Sequence, residues 1–243
     1  MAGHSKWANI KHRKGAQDAK RAQLFNKFSK EIMVAVQLGG PDINSNSSLR
    51  LAVTKARAQS MPKKNIESAI DKGSGNKGGA TFFEAAYGGN VSGVSFLVNC
   101  LTDNANRLAA NIQFYFNKAG GAVSGVSAVS YIFDRKGVLE LAKANIDEET
   151  LMMQAIECGA EDFEASDESY LIYTEPSSFS DVKEALEKLG YSEFTTAEVK
   201  YLPNQEVVVP KEKAEAILEF IDKLEDDEDV QVVYHNLDAS SLD

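Results

Sequence analysis

Cysteine, tryptophan and histidine are scarce in this chain of 243 residues, which has two Cys, one Trp and three His. The two cysteines, Cys100 and Cys158, lie in different segments among apolar neighbours. They read as buried thiols in a reducing compartment, not as a disulfide framework. His4 and His12 have no Cys or carboxylate set at ligand spacing, so no metal is expected. Neither G-x-S-x-G nor H-E-x-x-H occurs, and Gly73-Ser74-Gly75 lacks the Gly-Lys-Ser/Thr of a phosphate-binding loop. These absences argue against an enzyme and against a bound cofactor. Paired carboxylates, among 36 Asp and Glu, are the one catalytic device that residue types leave open. No apolar run reaches 18 residues, so no membrane-spanning helix is expected. The N-terminus also lacks the apolar core and small-residue cleavage site of a secretory signal, and its basic run leads straight into a helical pattern. The expected location is the cytoplasm, with no membrane partner.

Charge of one sign is scarce in each part of the chain in turn. The overall net charge is −10, yet residues 1–77 hold 15 Lys and Arg against 5 Asp and Glu, a net of +10. Residues 78–243 hold 11 against 31, a net of −20. A basic module on an acidic body implies an anionic partner for one end only, with the body repelling that partner and fixing its orientation.

Hydrophobic periodicity divides the chain in the same place. Leu24, Phe25, Phe28, Ile32 and Val36 recur at helical spacing until Gly39-Gly40-Pro41. A second helix carries Leu49, Val53 and Ala56 on one face. A third starts at Pro62, with Ile66, Ala69 and Ile70 inward, and ends near Gly73. The Gly-rich stretch 72–79 reads as a linker. Beyond it the pattern is α+β. The run 94–101 reads as a strand, 103–118 as a helix, and 122–124 and 128–133 as short extended pieces, with a turn at 134–137. Then strand 137–142, helix 147–158, strands 161–165 and 169–174, helix 180–189 and strand 193–201 follow in βαββαβ order, the ferredoxin-like plan. Extended residues 207–209, a helix over 210–224 and a strand over 230–234 complete the chain. The expected fold class is therefore α+β, with an N-terminal three-helix domain and two ferredoxin-like domains, one inserted into the other. The domains expected are 1–77, 80–136 plus 204–243, and the insert 137–203.

The residues suited to nucleic acid cluster in the first module. Lys6, Lys11, Arg13, Lys14, Lys20, Arg21, Lys27 and Lys30 could neutralise phosphates, which makes affinity salt-dependent through counterion release. Trp7 and His12 could stack on an exposed base, or Trp7 could anchor the arm to its own domain. A second basic group is Arg50, Lys55, Arg57, Lys63 and Lys64. Arg50 and Arg57 share a helix face, and Lys63 and Lys64 sit at a helix N-terminus that favours anions. Thr102, Asp103, Asn104 and Arg107 follow a strand and open a helix. Capping by Thr102 or Asp103 is the ordinary reading, and a secondary polar contact the functional one. The acidic run Glu225-Asp226-Asp227-Glu228-Asp229 reads as a solvated loop.

Three long stretches carry a resemblance: AGHSKWANIKHRKGAQDAKRAQLFNKFSKEI, LRLAVTKARAQSMPKKNIESAIDKGSG, and LVNCLTDNANR with the later KAGGAVSGVSAVSYIF. They resemble the YebC/PmpR family over essentially the whole chain. The resemblance implies a helical bundle with two α+β domains. It also implies a probable transcriptional regulator that binds DNA, or a translational activator that works at the ribosome. The sequence departs from the family at Ala85–Ser95, AAYGGNVSGVS, where the family reads close to EGYGPGGVA. It departs again at Ala105, where the family tends to be basic. A DNA target, a ribosomal RNA target and an acidic protein-interaction scaffold are the three readings carried forward. The absence of helix-turn-helix spacing and the flexible aromatic arm tilt the residues themselves toward RNA.

Overall fold

The computed structural model describes residues 21–75, 81–143 and 146–242. The chain forms two compact units, one from residues 21–129 with 209–235, the other from 130–208 with 236–242.

The first unit begins with three helices, α1 (Arg21–Gly39), α2 (Ser47–Ala58) and α3 (Lys63–Gly73). Ile32, Val36, Leu49, Val53, Ala56, Ile66 and Ala69 close a common core, with Phe25, Phe28 and Ile70 packed at its margin. The turn before α2 is held by Asn46. Its Oδ1 accepts the Leu49 N–H at 3.0 Å, and its Nδ2 donates to Ala35 O and Gly40 O, both at 2.8 Å. One side chain thus caps α2 and ties down the end of α1.

The same unit carries a four-stranded antiparallel sheet in the order β3-β1-β2-β8. Its strands are β1 (Phe83–Val91), β2 (Val94–Thr102), β3 (Ala122–Ser124) and β8 (Val230–His235). Helix α4 (Ala105–Lys118) joins β2 to β3, and helix α7 (Lys211–Glu225) leads into β8. Phe96 of β2, Phe116 of α4 and Phe220 of α7 meet edge to face, with ring centroids 4.9–6.0 Å apart. The spatial strand order is the ferredoxin-like one, but the chain path differs. The two central strands are joined directly through Ser92 and Gly93, both at positive φ, as in a type I′ hairpin. Strand β1 has no counterpart among the expected strands, which began at residue 94.

The second unit follows βαββαβ order. Strands β4 (Phe133–Ala142), β5 (Asp162–Ala165), β6 (Ser169–Thr174) and β7 (Phe194–Pro203) form an antiparallel sheet, β5-β6-β4-β7. Helices α5 (Glu148–Glu157) and α6 (Phe179–Lys188) supply Leu151, Ala155, Phe179, Val182 and Leu186 to a core with Leu139, Leu141, Tyr170 and Ile172. The turn expected at 134–137 is instead the first half of β4, and 128–133 is not extended but mostly two short 3₁₀ turns. Gly137 is in the strand because the backbone passes close to its neighbours. A Cβ there would sit 2.2 Å from Thr174 Oγ1 and 2.6 Å from Phe179 Cδ2. Residues 207–209 form no strand; Val207 makes a single bridge to Leu237.

Candidate nucleic-acid interface

Helix α2 buries Leu49, Ala52, Val53 and Ala56, which leaves Arg50 and Arg57 exposed on its other side, seven residues apart. Arg50 Nη1 donates to Asn44 O at 3.3 Å. The helix closes through Ser60 at φ 59: the Ser60 N–H donates to Arg57 O and the Met61 N–H to Ala56 O, at 2.9 and 3.0 Å. This Schellman-type closure turns the chain into Pro62, which precedes α3. Pro62 offers no side-chain cap, and the first turn of α3 holds no acid. Lys63 and Lys64, both exposed, therefore flank a helix start whose dipole favours an anion. The contact between Lys63 and Glu67, at 3.7 Å, is an exposed pair of the kind that contributes little.

Lys55, Arg21, Lys27 and Lys30 of the same module make contacts within the fold, whereas Lys72 in the last turn of α3 is exposed. Lys55 bridges α2 to α1 through Glu31 at 3.0 Å. The Arg21 guanidinium lies 5.6 Å from the ring centroid of Phe25. Lys27 Nζ donates to the carbonyl of Glu225 at 2.7 Å, satisfying an orphan acceptor at the end of α7. Lys30 Nζ donates to Glu228 O at 2.7 Å and pairs with Asp229 Oδ1 at 2.9 Å. Lys6, Trp7, Lys11, His12, Arg13, Lys14 and Lys20 lie outside the described residues.

Asp229 is the centre of a polar hub. Its Oδ2 accepts Arg107 Nη2 at 2.6 Å, Arg107 Nε at 3.1 Å and Thr102 Oγ1 at 3.0 Å. Burial alone would raise this carboxyl. The hydrogen bonds from Arg107 and Lys30 outweigh that and hold it below the usual carboxylate range. Hydrogen bonds to Asp229 and Asp103 in turn push the Arg107 guanidinium still higher. Asp227 accepts from Asn111 Nδ2 at 2.9 Å and Tyr115 OH at 3.3 Å. The acidic run is thus not a solvated loop, since Asp227 and Asp229 are both buried. The sequence signal for this was slight: the two aspartates alternate with exposed residues immediately before an apolar strand. Capping of α4 falls to Asn104, whose Oδ1 accepts the Arg107 N–H at 3.0 Å. Thr102 and Asp103, the residues expected to cap, instead face the hub. Of these four, Arg107 donates to both Asp103 and Asp229.

The Cys100 thiol is buried and pushed up to about 12 by desolvation, then by Asp227 and Asp229. No group of three or more His, Cys, Asp and Glu with metal-site geometry occurs among the described residues. No helix among them is long and apolar enough to cross a membrane.

The architecture defines a class: a multidomain α+β protein in which a basic helical module precedes two four-stranded antiparallel sheets. Residues 5–76 match the TACO1/YebC protein N-terminal domain, and residues 82–237 match the TACO1/YebC second and third domain. The chain belongs to the TACO1/YebC family. It is 52% identical over 239 residues to a probable transcriptional regulatory protein of Mesomycoplasma hyopneumoniae (strain 232), covering 98% of this chain and 99% of that one. It is 49% identical over 246 residues to a probable transcriptional regulatory protein of Geobacillus sp. (strain WCH70), covering the whole of both. A crystal structure of a conserved hypothetical protein from Aquifex aeolicus superposes with a TM-score of 0.84 at 41% identity, over 96% of this chain and 97% of that one.

Proposed function

We propose that this protein is a non-enzymatic, cytoplasmic regulator of gene expression that binds nucleic acid through its basic N-terminal module. The observation that carries the reading is the charge division, +10 over residues 1–77 against −20 beyond. The exposed set Arg50, Arg57, Lys63 and Lys64 at the α2–α3 corner supports it. There a backbone phosphate would meet an uncapped helix start between two lysines, and each neutralised phosphate would release counterions. Such contacts position a protein on a nucleic acid without reading its sequence. The basic arm supplies the remaining charge.

The names of the relatives favour a DNA target and a role in transcription. Trp7 and His12 in the arm favour the second reading, a ribosome-associated RNA-binding factor, because aromatic stacking suits unpaired bases. Sedimentation of a cell lysate at low and high salt separates the two. Co-migration with ribosomal subunits that is lost at high salt supports the RNA reading. A protein that stays at the top of the gradient, and that binds duplex DNA tightly when purified, supports the DNA reading. A protein that does neither refutes both.

A further inference from the structure

Two lysines of the module that should meet phosphate are already held by the protein's own acidic segment. Lys27 and Lys30 lie one turn apart on α1, and both reach the turn that connects α7 to β8. Lys27 takes the Glu225 carbonyl; Lys30 takes the Glu228 carbonyl and Asp229 Oδ1. The Lys30 side chain is 13% exposed and that of Asp229 3%, so this pair is screened far less than a surface pair. Near it, the Lys30 ammonium also lies 5.4 Å from the ring centroid of Phe82, which packs against the three-helix core.

The two oxygens of Asp229 have separate duties. Oδ2 serves Arg107 and Thr102, which belong to the sheet and its helix α4. Oδ1 serves Lys30, which belongs to the three-helix module. Withdrawing Lys30 therefore leaves the carboxylate paired with Arg107, and no buried charge is stranded on the sheet side. A clamp built this way opens at modest cost on one side only.

We propose that the 225–229 turn is an autoinhibitory clamp that competes with nucleic acid for Lys27 and Lys30. While the turn holds the two ammonium groups, they are unavailable to phosphate; a polyanion that captures them must open the clamp and loosen α1 from the α7–β8 turn. The acidic segment takes the place of a phosphate backbone, with two main-chain carbonyls and one carboxylate as acceptors. The proposal rests on the nucleic-acid reading above, and it adds that binding and clamp closure exclude each other.

The test uses the full-length chain, a fluorescent 20-nucleotide RNA and a 20-base-pair duplex DNA, titrated by anisotropy at fixed salt. Asp229→Asn removes the anion that Lys30 meets. Glu228→Gln removes one negative charge a residue away, from an exposed side chain, and keeps the main-chain carbonyl that Lys30 meets. Thr102→Val perturbs the hub at Oδ2 and leaves the Lys30 bond in place. The expected result is several-fold tighter binding by Asp229→Asn and a change of less than two-fold for the other two. Equal gains in Asp229→Asn and Glu228→Gln would mean a general charge effect and overturn the clamp. Binding by the unaltered chain with no gain in Asp229→Asn overturns the clamp alone. No binding by any variant overturns the nucleic-acid reading and the clamp with it. Should Asp229→Asn fail to fold, hydrogen exchange on the unaltered chain decides: saturating RNA or DNA should speed exchange across 225–230, and slower or unchanged exchange there overturns the proposal.

Discussion

Phe116 lies directly against the backbone of Gly89: a Cβ on that glycine would fall 2.2 Å from the ring Cε1. Gly89 sits in β1 opposite Phe96, and Phe116 is fully buried with Phe96 and Phe220. The ring has no room to retreat in a close-packed interior. Gly89→Ala should therefore destabilise the protein by about 1–3 kcal/mol, read as a lower midpoint in urea with an unchanged slope. An unchanged midpoint would show that the aromatic cluster yields.

The same contact explains why β1 was illegible. Paired glycines normally punctuate a chain, and nothing in AAYGGNVSGVS says that an aromatic 27 residues later needs their missing side chains. The helices were legible because each buries a continuous stripe, such as Leu49, Val53 and Ala56 in α2. The βαββαβ half was legible because its strands alternate with helices that end at Gly159 and Gly190, both at positive φ. At the candidate site, the basic composition was visible but the commitments of individual residues were not. Lys27 and Lys30 read like Arg50 and Arg57, and only the fold brings a segment 198 residues away onto them. The acidic run looked solvated for the same reason, since its cations come from α1 and α4.

Ser60 adopts φ 59, the left-handed region that favours glycine, to close α2. Ser60→Gly should raise stability by about 0.5–1 kcal/mol, because removing the Cβ relieves the left-handed cost. Thermal unfolding of the pair checks it, with a higher midpoint expected for the variant.

Asp229 titrates below the ordinary carboxylate range in the folded chain, so below about pH 4 the unfolded chain binds more protons than the folded one. The stability it contributes is complete above that ordinary value and is lost as pH falls through the lower, folded value. Unfolding measured from pH 5 to pH 2 should show a steep loss, and Asp229→Asn should flatten it. Equal slopes in both proteins would remove Asp229 from the acid response.

Cys100 is buried with its thiol raised to about 12, while Cys158 is only partly buried. Burial also raises the Cys158 thiol. In the folded chain at pH 8, a thiol reagent should modify Cys158 slowly and Cys100 only on unfolding. Two thiols reacting at one rate would contradict this arrangement.

The central claim is that phosphates meet the α2–α3 corner, and the most direct test is the salt dependence of affinity for a 20-base-pair duplex. The quadruple variant Arg50→Ala, Arg57→Ala, Lys63→Ala and Lys64→Ala keeps every buried residue of the three-helix core. Four lost phosphate contacts should reduce the slope of log affinity against log salt by roughly 3–4 relative to the unaltered chain. An unchanged slope, with the variant folded, would place the phosphates elsewhere and contradict the account.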